Sequence, residues 1–345
     1  MGKSSKSLKS ALQSQQSRLK LKEKEKAAQA AKAVAEKNKS RNGKGKMKAN
    51  NRNPLLQPEA SSASTSKSAH TGSYTTRRPT IPFRPTDTIL LIGEGNFSFA
   101  RALVLNPPTN SGLEHLPPRN VTATAYDTEE ECFGKYPDAE EIVKELREKG
   151  VEVRFGVDAT KLERVNGFKG RKWDRIIWNF PHAGKGITDQ DRNILSNQML
   201  ILGFLRSTAK LLRTGPVPII NRPGKKKKKS EDDDDEDEEA DDAEMDKDQS
   251  ALKTAGNERG TVLITLRNVT PYTLWDVPRL AKNPPPPTQG STPPNPHYTL
   301  LRSFVFHRQI WKGYEHRMTK GERAHGTGKT GEGGEDRTWE FCLRD

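Results

Sequence analysis

Two short stretches of this chain combine residue types that can bind and react. Asn179-Phe180-Pro181-His182 sets a side-chain amide, a rigid backbone step and a titratable ring within four residues. An amide beside a proline-fixed backbone can hold a planar nitrogen in line for attack, and a ring alongside can stack on a base drawn out of its stack. Gly93-Glu94-Gly95-Asn96-Phe97 reads as a glycine turn between a strand and a helix. There the glycines let the backbone approach a ligand, and the helix N-terminus offers free N–H groups. The turn lacks the Gly-Lys-Ser/Thr ending of a phosphate-binding loop, which argues against a nucleoside triphosphatase. Ser98 stands where a dinucleotide fingerprint wants Gly or Ala, which weakens an NAD reading. Asp127, just after Tyr126, can accept from both ribose hydroxyls of an adenosine-bearing ligand, and Asp158-Ala159 can meet an adenine amino group. The two cysteines, Cys132 and Cys342, cannot build a four-ligand zinc site or a disulfide framework, so no metal is expected.

Each of these groups stands at the end of a predicted strand. Thr88–Ile92 is a continuous apolar run stopped by Gly93, as in a strand buried on both faces. Strands are also expected over Val121–Tyr126, Val151–Val157, Asp174–Asn179, Thr261–Leu266, Leu300–Phe306 and Thr338–Leu343, with a strand or an approach to one over Pro216–Asn221. Helices are predicted to start near Asn96–Phe99 and to span Pro137–Lys149, Asp189–Leu212 and Thr273–Lys282. Alternating strand and helix argues for an α/β fold with a mostly parallel sheet.

Composition marks what lies outside that fold. Of 345 residues only 31% are hydrophobic, below the roughly 45–50% of a globular chain. The net charge of +14 is uneven: residues 1–53 hold 16 Lys and Arg against three Glu, a net of +13, whereas 225–248 hold 14 acids and 6 Lys. We expect a disordered basic tail and Ser/Thr/Pro linker over 1–85, and a domain over 86–345 interrupted by a disordered insert over 222–258. The tail suits an RNA-binding arm and a nuclear or nucleolar address read by the import machinery. No run of 18 apolar residues is present, so no transmembrane helix or membrane partner is expected, and the first twenty residues lack the apolar core of a secretory signal.

Asn-x-Pro followed by an aromatic resembles the motif of S-adenosylmethionine-dependent methyltransferases that modify planar nitrogens, with His182 in the aromatic place. The full set GEGNFSFARAL (93–103), AYDT (125–128), VDAT (157–160), WDRIIWNFPHAGKG (173–186), VLITLRNVTPYTLWDVPRLAK (262–282) and KGYEHRMT (312–319) resembles the eukaryotic large-subunit rRNA (uridine-N3)-methyltransferase family. The resemblance covers about 86–213 and 259–345. It implies a class I methyltransferase Rossmann-like sheet of about seven strands with helices on both faces, S-adenosylmethionine as donor, a uridine N3 of large-subunit rRNA or of pre-ribosomal particles as acceptor, and a nucleolar setting. Departures are the acidic insert and Met318, where an Arg is expected.

On that reading the donor lies across Gly93, Glu94, Gly95, Asn96 and Phe97, with Asp127 on its ribose and Asp158 or Ala159 beside its adenine. Asn179 and Pro181 position the base, and His182 is a base or a stacking partner. Lys185 is a candidate for charge at a uracil carbonyl oxygen, and His316 and Arg317 for contact with RNA phosphate. Uridine N3 carries a proton at neutral pH, so the site needs a proton acceptor or groups that stabilise the imide anion. Two other readings stay open: methylation of an adenine or cytosine amino group, and a non-catalytic RNA-binding assembly factor.

Overall fold

The computed structural model describes residues 78–220, 258–287, 292–319 and 334–345. The basic tail, nearly all of the linker and all of the insert but Glu258 lie outside the described residues. Seven strands form one sheet: β1 (Ile89–Ile92), β2 (Val121–Thr124), β3 (Glu152–Arg154), β4 (Arg175–Asn179), β5 (Thr261–Arg267), β6 (Tyr298–Val305) and β7 (Asp336–Leu343). Their order is β3-β2-β1-β4-β5-β7-β6, and only β7 runs against its neighbours. This is the mostly parallel α/β sheet expected from the alternating pattern.

Central strands carry apolar residues on both faces because helices cover both. Ile89, Leu91, Val121, Ala123 and Ile177 pack with α1 (Ser98–Leu105) and α3 (Ala139–Lys149) through Phe99, Leu103, Ile142 and Leu146. Leu90, Ile92, Ile176, Trp178 and Ile264 pack with α4 (Gln190–Thr208) and α5 (Val277–Lys282) through Ile201, Phe204 and Leu280. Gly150, φ 94°, ends α3 in the left-handed conformation that glycine adopts without strain.

Some expectations change. A short helix, α2 (Glu129–Lys135), was not foreseen although its signal is present: Thr128 and Glu131 cap each other's backbone N–H groups reciprocally. The helix expected over Thr273–Lys282 is a 3₁₀ turn at Tyr272–Trp275, a left-handed Asp276 (φ 49°) and then α5. Pro278 within one continuous helix would drive its ring into the carbonyl four residues back. No strand forms over 216–220, where Pro216 and Pro218 lack the N–H a ladder needs.

Residues just before Thr86, expected in the linker, also pack on the sheet domain. Phe83 is buried edge-on against Trp311, with ring centroids 5.8 Å apart. Arg175 donates to the Pro82 carbonyl and pairs with the buried Asp87 at 3.2 Å. Arg84 pairs at 2.9 Å with Glu258, which anchors the far end of the insert on the same region. One aromatic in a polar, proline-rich stretch was the available sign.

Candidate active site

The C-terminal ends of β1, β2, β4 and β5 open on a cavity of about 390 Å³, where ligands bind in open parallel sheets. Gly93 ends β1 with φ 66°, and a Cβ there would fall 2.6 Å from the Trp178 indole nitrogen. The Glu94 N–H donates to the Thr124 carbonyl at 2.8 Å, pinning the turn to β2. The Glu94 carboxylate turns back to accept from the Ala100 N–H at 3.3 Å, at the start of α1. Burial pushes this carboxyl up to about 7, against the lowering pull of the Ala100 and Phe99 N–H groups. Asn96 accepts from the Ser98 N–H and donates to Asp138 at 2.7 Å. Gly93, Glu94, Gly95 and Asn96 all line the cavity. Phe97 does not: it is fully buried, edge-on to Phe155 at 5.3 Å, and anchors the turn from below.

Asp127 lines the same cavity at the end of β2, beside Tyr126, which is 71% exposed. One Asp127 carboxylate oxygen lies 2.6 Å from Lys135, a residue placed there by α2. Asp158 and Ala159 are not on the cavity wall. The Asp158 carboxylate accepts from the Thr160 N–H and hydroxyl at 2.9 and 2.7 Å and pairs with Lys161, capping a 3₁₀ turn. Burial opposes its charge, but these bonds outweigh burial and hold the carboxyl below its usual range.

At the end of β4, both polar atoms of the Asn179 amide are shut from solvent without a hydrogen-bond partner among the described residues. Buried amides are rarely left so, and Asn179 is among the residues lining the cavity. Phe180 takes φ 54°, an uncommon left-handed conformation for such a residue, and its N–H donates to the Thr265 carbonyl on β5. Pro181 and His182 follow on the wall. The Gly184 N–H donates to His182 Nδ1 at 2.9 Å, which leaves the ring proton on Nε2. Lys185 is exposed and off the wall, unlike its neighbours Gly184 and Gly186.

A strap over Tyr314–Thr319 closes one side. The Ser98 hydroxyl exchanges hydrogen bonds with the Glu315 backbone, and the Tyr136 hydroxyl donates to the Met318 carbonyl at 2.8 Å. Arg317 reaches Asp138 and Glu315 at 3.1 and 2.8 Å. The His316 ring lies 4.4 Å from the Phe180 ring, which also carries the Arg308 guanidinium at 4.6 Å. Burial, then the charges of Arg308 and Arg267, push the His316 imidazole down to about 3. The structure thus puts His316 and Arg317 on the cavity wall beside the predicted base-holding residues. Tyr126, Tyr136, Asn193, Arg267, Tyr272 and Tyr314 join them without having been singled out in the sequence. Arg267 had a signal, being the last residue of the strand TVLITLR in a fold whose strand ends build the site.

Residues 90–318 match the family described as BMT5-like, rRNA (uridine-N3-)-methyltransferase. The chain belongs to this family. Among its relatives, the 25S rRNA (uridine(2634)-N(3))-methyltransferase of Saccharomyces cerevisiae is 29% identical over 263 residues, 70% of this chain and 69% of that protein. The mouse ferredoxin-fold anticodon-binding domain-containing protein 1 homolog is 42% identical over 124 residues, 36% of this chain but 18% of that protein. Heavy metal-associated isoprenylated plant protein 41 of Arabidopsis thaliana is 34% identical over 126 residues, 36% of this chain and 23% of that protein. As a BMT5-like protein the chain is an rRNA (uridine-N3)-methyltransferase, and uridine N3 rather than a base amino group is its methyl acceptor.

Proposed function

We propose that the protein uses S-adenosylmethionine to methylate N3 of one uridine in large-subunit ribosomal RNA, acting in the nucleolus on pre-ribosomal particles. The yeast relative bears the name of a 25S rRNA enzyme, and the same RNA class is proposed for this chain. The observation that carries the reading is the unpartnered amide of Asn179 at the end of β4, a residue that lines the same cavity as the Gly93–Asn96 turn.

The residues present fit such a donor. A cavity of about 390 Å³ suits a nucleoside with an amino-acid tail. Gly93, Glu94, Gly95 and Asn96 would hold the tail, and Asp127 with the exposed Tyr126 the ribose and adenine. When bound, the donor supplies an electrophilic methyl group on a sulfonium. Asn179 and the backbone before Pro181 fix the uracil plane, leaving the amide's two polar atoms for the imide edge of the base. His182, with Nδ1 engaged by Gly184, offers a donor or a stacking face rather than a vacant base. The basic tail serves import and RNA docking.

Nucleoside mass spectrometry of rRNA from cells lacking the protein tests this directly. Loss of 3-methyluridine, mapped to one large-subunit position, is expected; an unchanged 3-methyluridine level with loss of another mark would overturn it. Calorimetry should show S-adenosylmethionine binding to the full chain and its weakening in Asp127→Ala.

A further inference from the structure

Uridine N3 becomes a good nucleophile only after its proton leaves and the electron pair spreads over N3 and the two carbonyl oxygens. The cavity wall meets that need with positive charge. Asn179 is in register with Thr265, and Arg267 stands two residues further along β5, on the wall with His316. Arg308 rests on the ring of Phe180, the residue after Asn179, and supports that side of the wall without lining the cavity itself.

We propose that Arg267, backed by Arg308 and His316, binds the target uracil as its N3-deprotonated imide and so selects uridine over bases that attack without losing a proton. This rests on the function proposed above. The N3–H bond breaks, the proton passes to solvent water, and the pair stays on the imide, where Arg267 stabilises the charge at a carbonyl oxygen. No side chain is required as the final proton acceptor.

His316 reports the field at this spot. Burial is the larger cause of its neutrality, but both arginines disfavour its cation, and a field that repels imidazolium favours an imide anion. Of the surrounding acids, Asp336 draws on both Arg308 and Arg267 and offsets part of that field. Asp336 accepts from Arg308 at 2.6 Å, Glu315 pairs with Arg317, and Asp127 pairs with Lys135. Glu94 is held near 7, and burial together with Glu94 raises the Tyr314 phenol.

Single-turnover methylation of the mapped rRNA fragment by the full-length protein, from about pH 6 to about pH 9.5, tests the assignment. Arg267→Met is expected to slow the reaction about 100-fold near pH 7, with KM for RNA changed less than about 3-fold. Its rate should keep climbing with pH after the wild type has levelled. Replacing the target uridine by 5-fluorouridine, whose imide is more acidic, should restore about tenfold to Arg267→Met and little to wild type. Arg267→Lys, which keeps the charge, should fall between. An equal loss on both RNAs at every pH would overturn the inference.

A donor-free measurement guards against a misfolded variant. In ¹⁹F NMR of the 5-fluorouridine RNA bound to wild-type protein, the imide should ionise at least about one pH unit below the free RNA. A bound value equal to or above the free one would sink the proposal whatever the variant does. Failure of the function itself shows differently, as rRNA that lacks no 3-methyluridine when the protein is removed.

Discussion

Gly93 and Trp178 meet across the β1–β4 pair so closely that a single added carbon on Gly93 would lie 2.6 Å from the indole nitrogen. Trp178 immediately precedes Asn179, so this contact sets the turn proposed for the donor against the residue proposed to hold the base. Gly93→Ala would meet both that clash and a left-handed φ of 66°. The variant should lose about 1–3 kcal/mol of stability and most donor affinity. Urea unfolding and calorimetry with S-adenosylmethionine check it; unaltered donor binding would free the contact from any role in the site.

Asn179 gives the opposite expectation for stability. A buried amide with no partner costs about 1–3 kcal/mol, so removing it relieves the fold. Asn179→Ala should leave stability unchanged or raised by up to about 1 kcal/mol, while single-turnover methylation drops about 100-fold. Denaturant unfolding beside rapid-quench kinetics separates the two readouts. Stability and activity falling together would make Asn179 a structural residue.

Much of this was legible in the sequence because strands buried on both faces leave continuous apolar runs, and their ends are marked by Gly93, Asp127 and Asn179. The local signals that failed were those with competing interpretations. Asp158 at a strand end looks like a ligand acceptor, yet its own Thr160 and Lys161 satisfy it. Phe97 lies inside the glycine motif but faces the core. The strap was legible only as part of a family resemblance, because Tyr314–Thr319 reaches Ser98 across 217 positions of sequence, a distance no periodicity spans.

Glu94 should make stability depend on pH. Its carboxyl titrates at about 7 when folded and near 4.5 when unfolded, so between those values the folded chain keeps a proton that the unfolded chain has released. Its contribution therefore falls as pH rises from 4.5 to 7 and is constant above. Relative to Glu94→Gln, wild-type stability should decline by about 1–3 kcal/mol across that window. Urea titrations at stepped pH test it, and a difference that does not vary with pH would refute the assignment.

Tyr136 holds the strap through one hydroxyl. Tyr136→Phe removes the bond to the Met318 carbonyl but keeps the ring. Amides of 314–319 should exchange about five-fold faster with deuterium, with global stability lowered by only about 1 kcal/mol. Unchanged exchange would mean that Ser98 and Asp138 hold the strap without it.

The placement of β7 between β5 and β6 bears on how the protein is made. A ribosome delivers β5 and β6 while the strand that joins them is still inside the exit tunnel. Until residue 336 emerges, both present unpaired edges, and Arg308 lacks the Asp336 carboxylate that it later pairs with. The nascent chain is thus exposed to mispairing and chaperone capture over just that interval, and the Arg308–Asp336 pair that steadies the guanidinium on Phe180 forms only once it has passed.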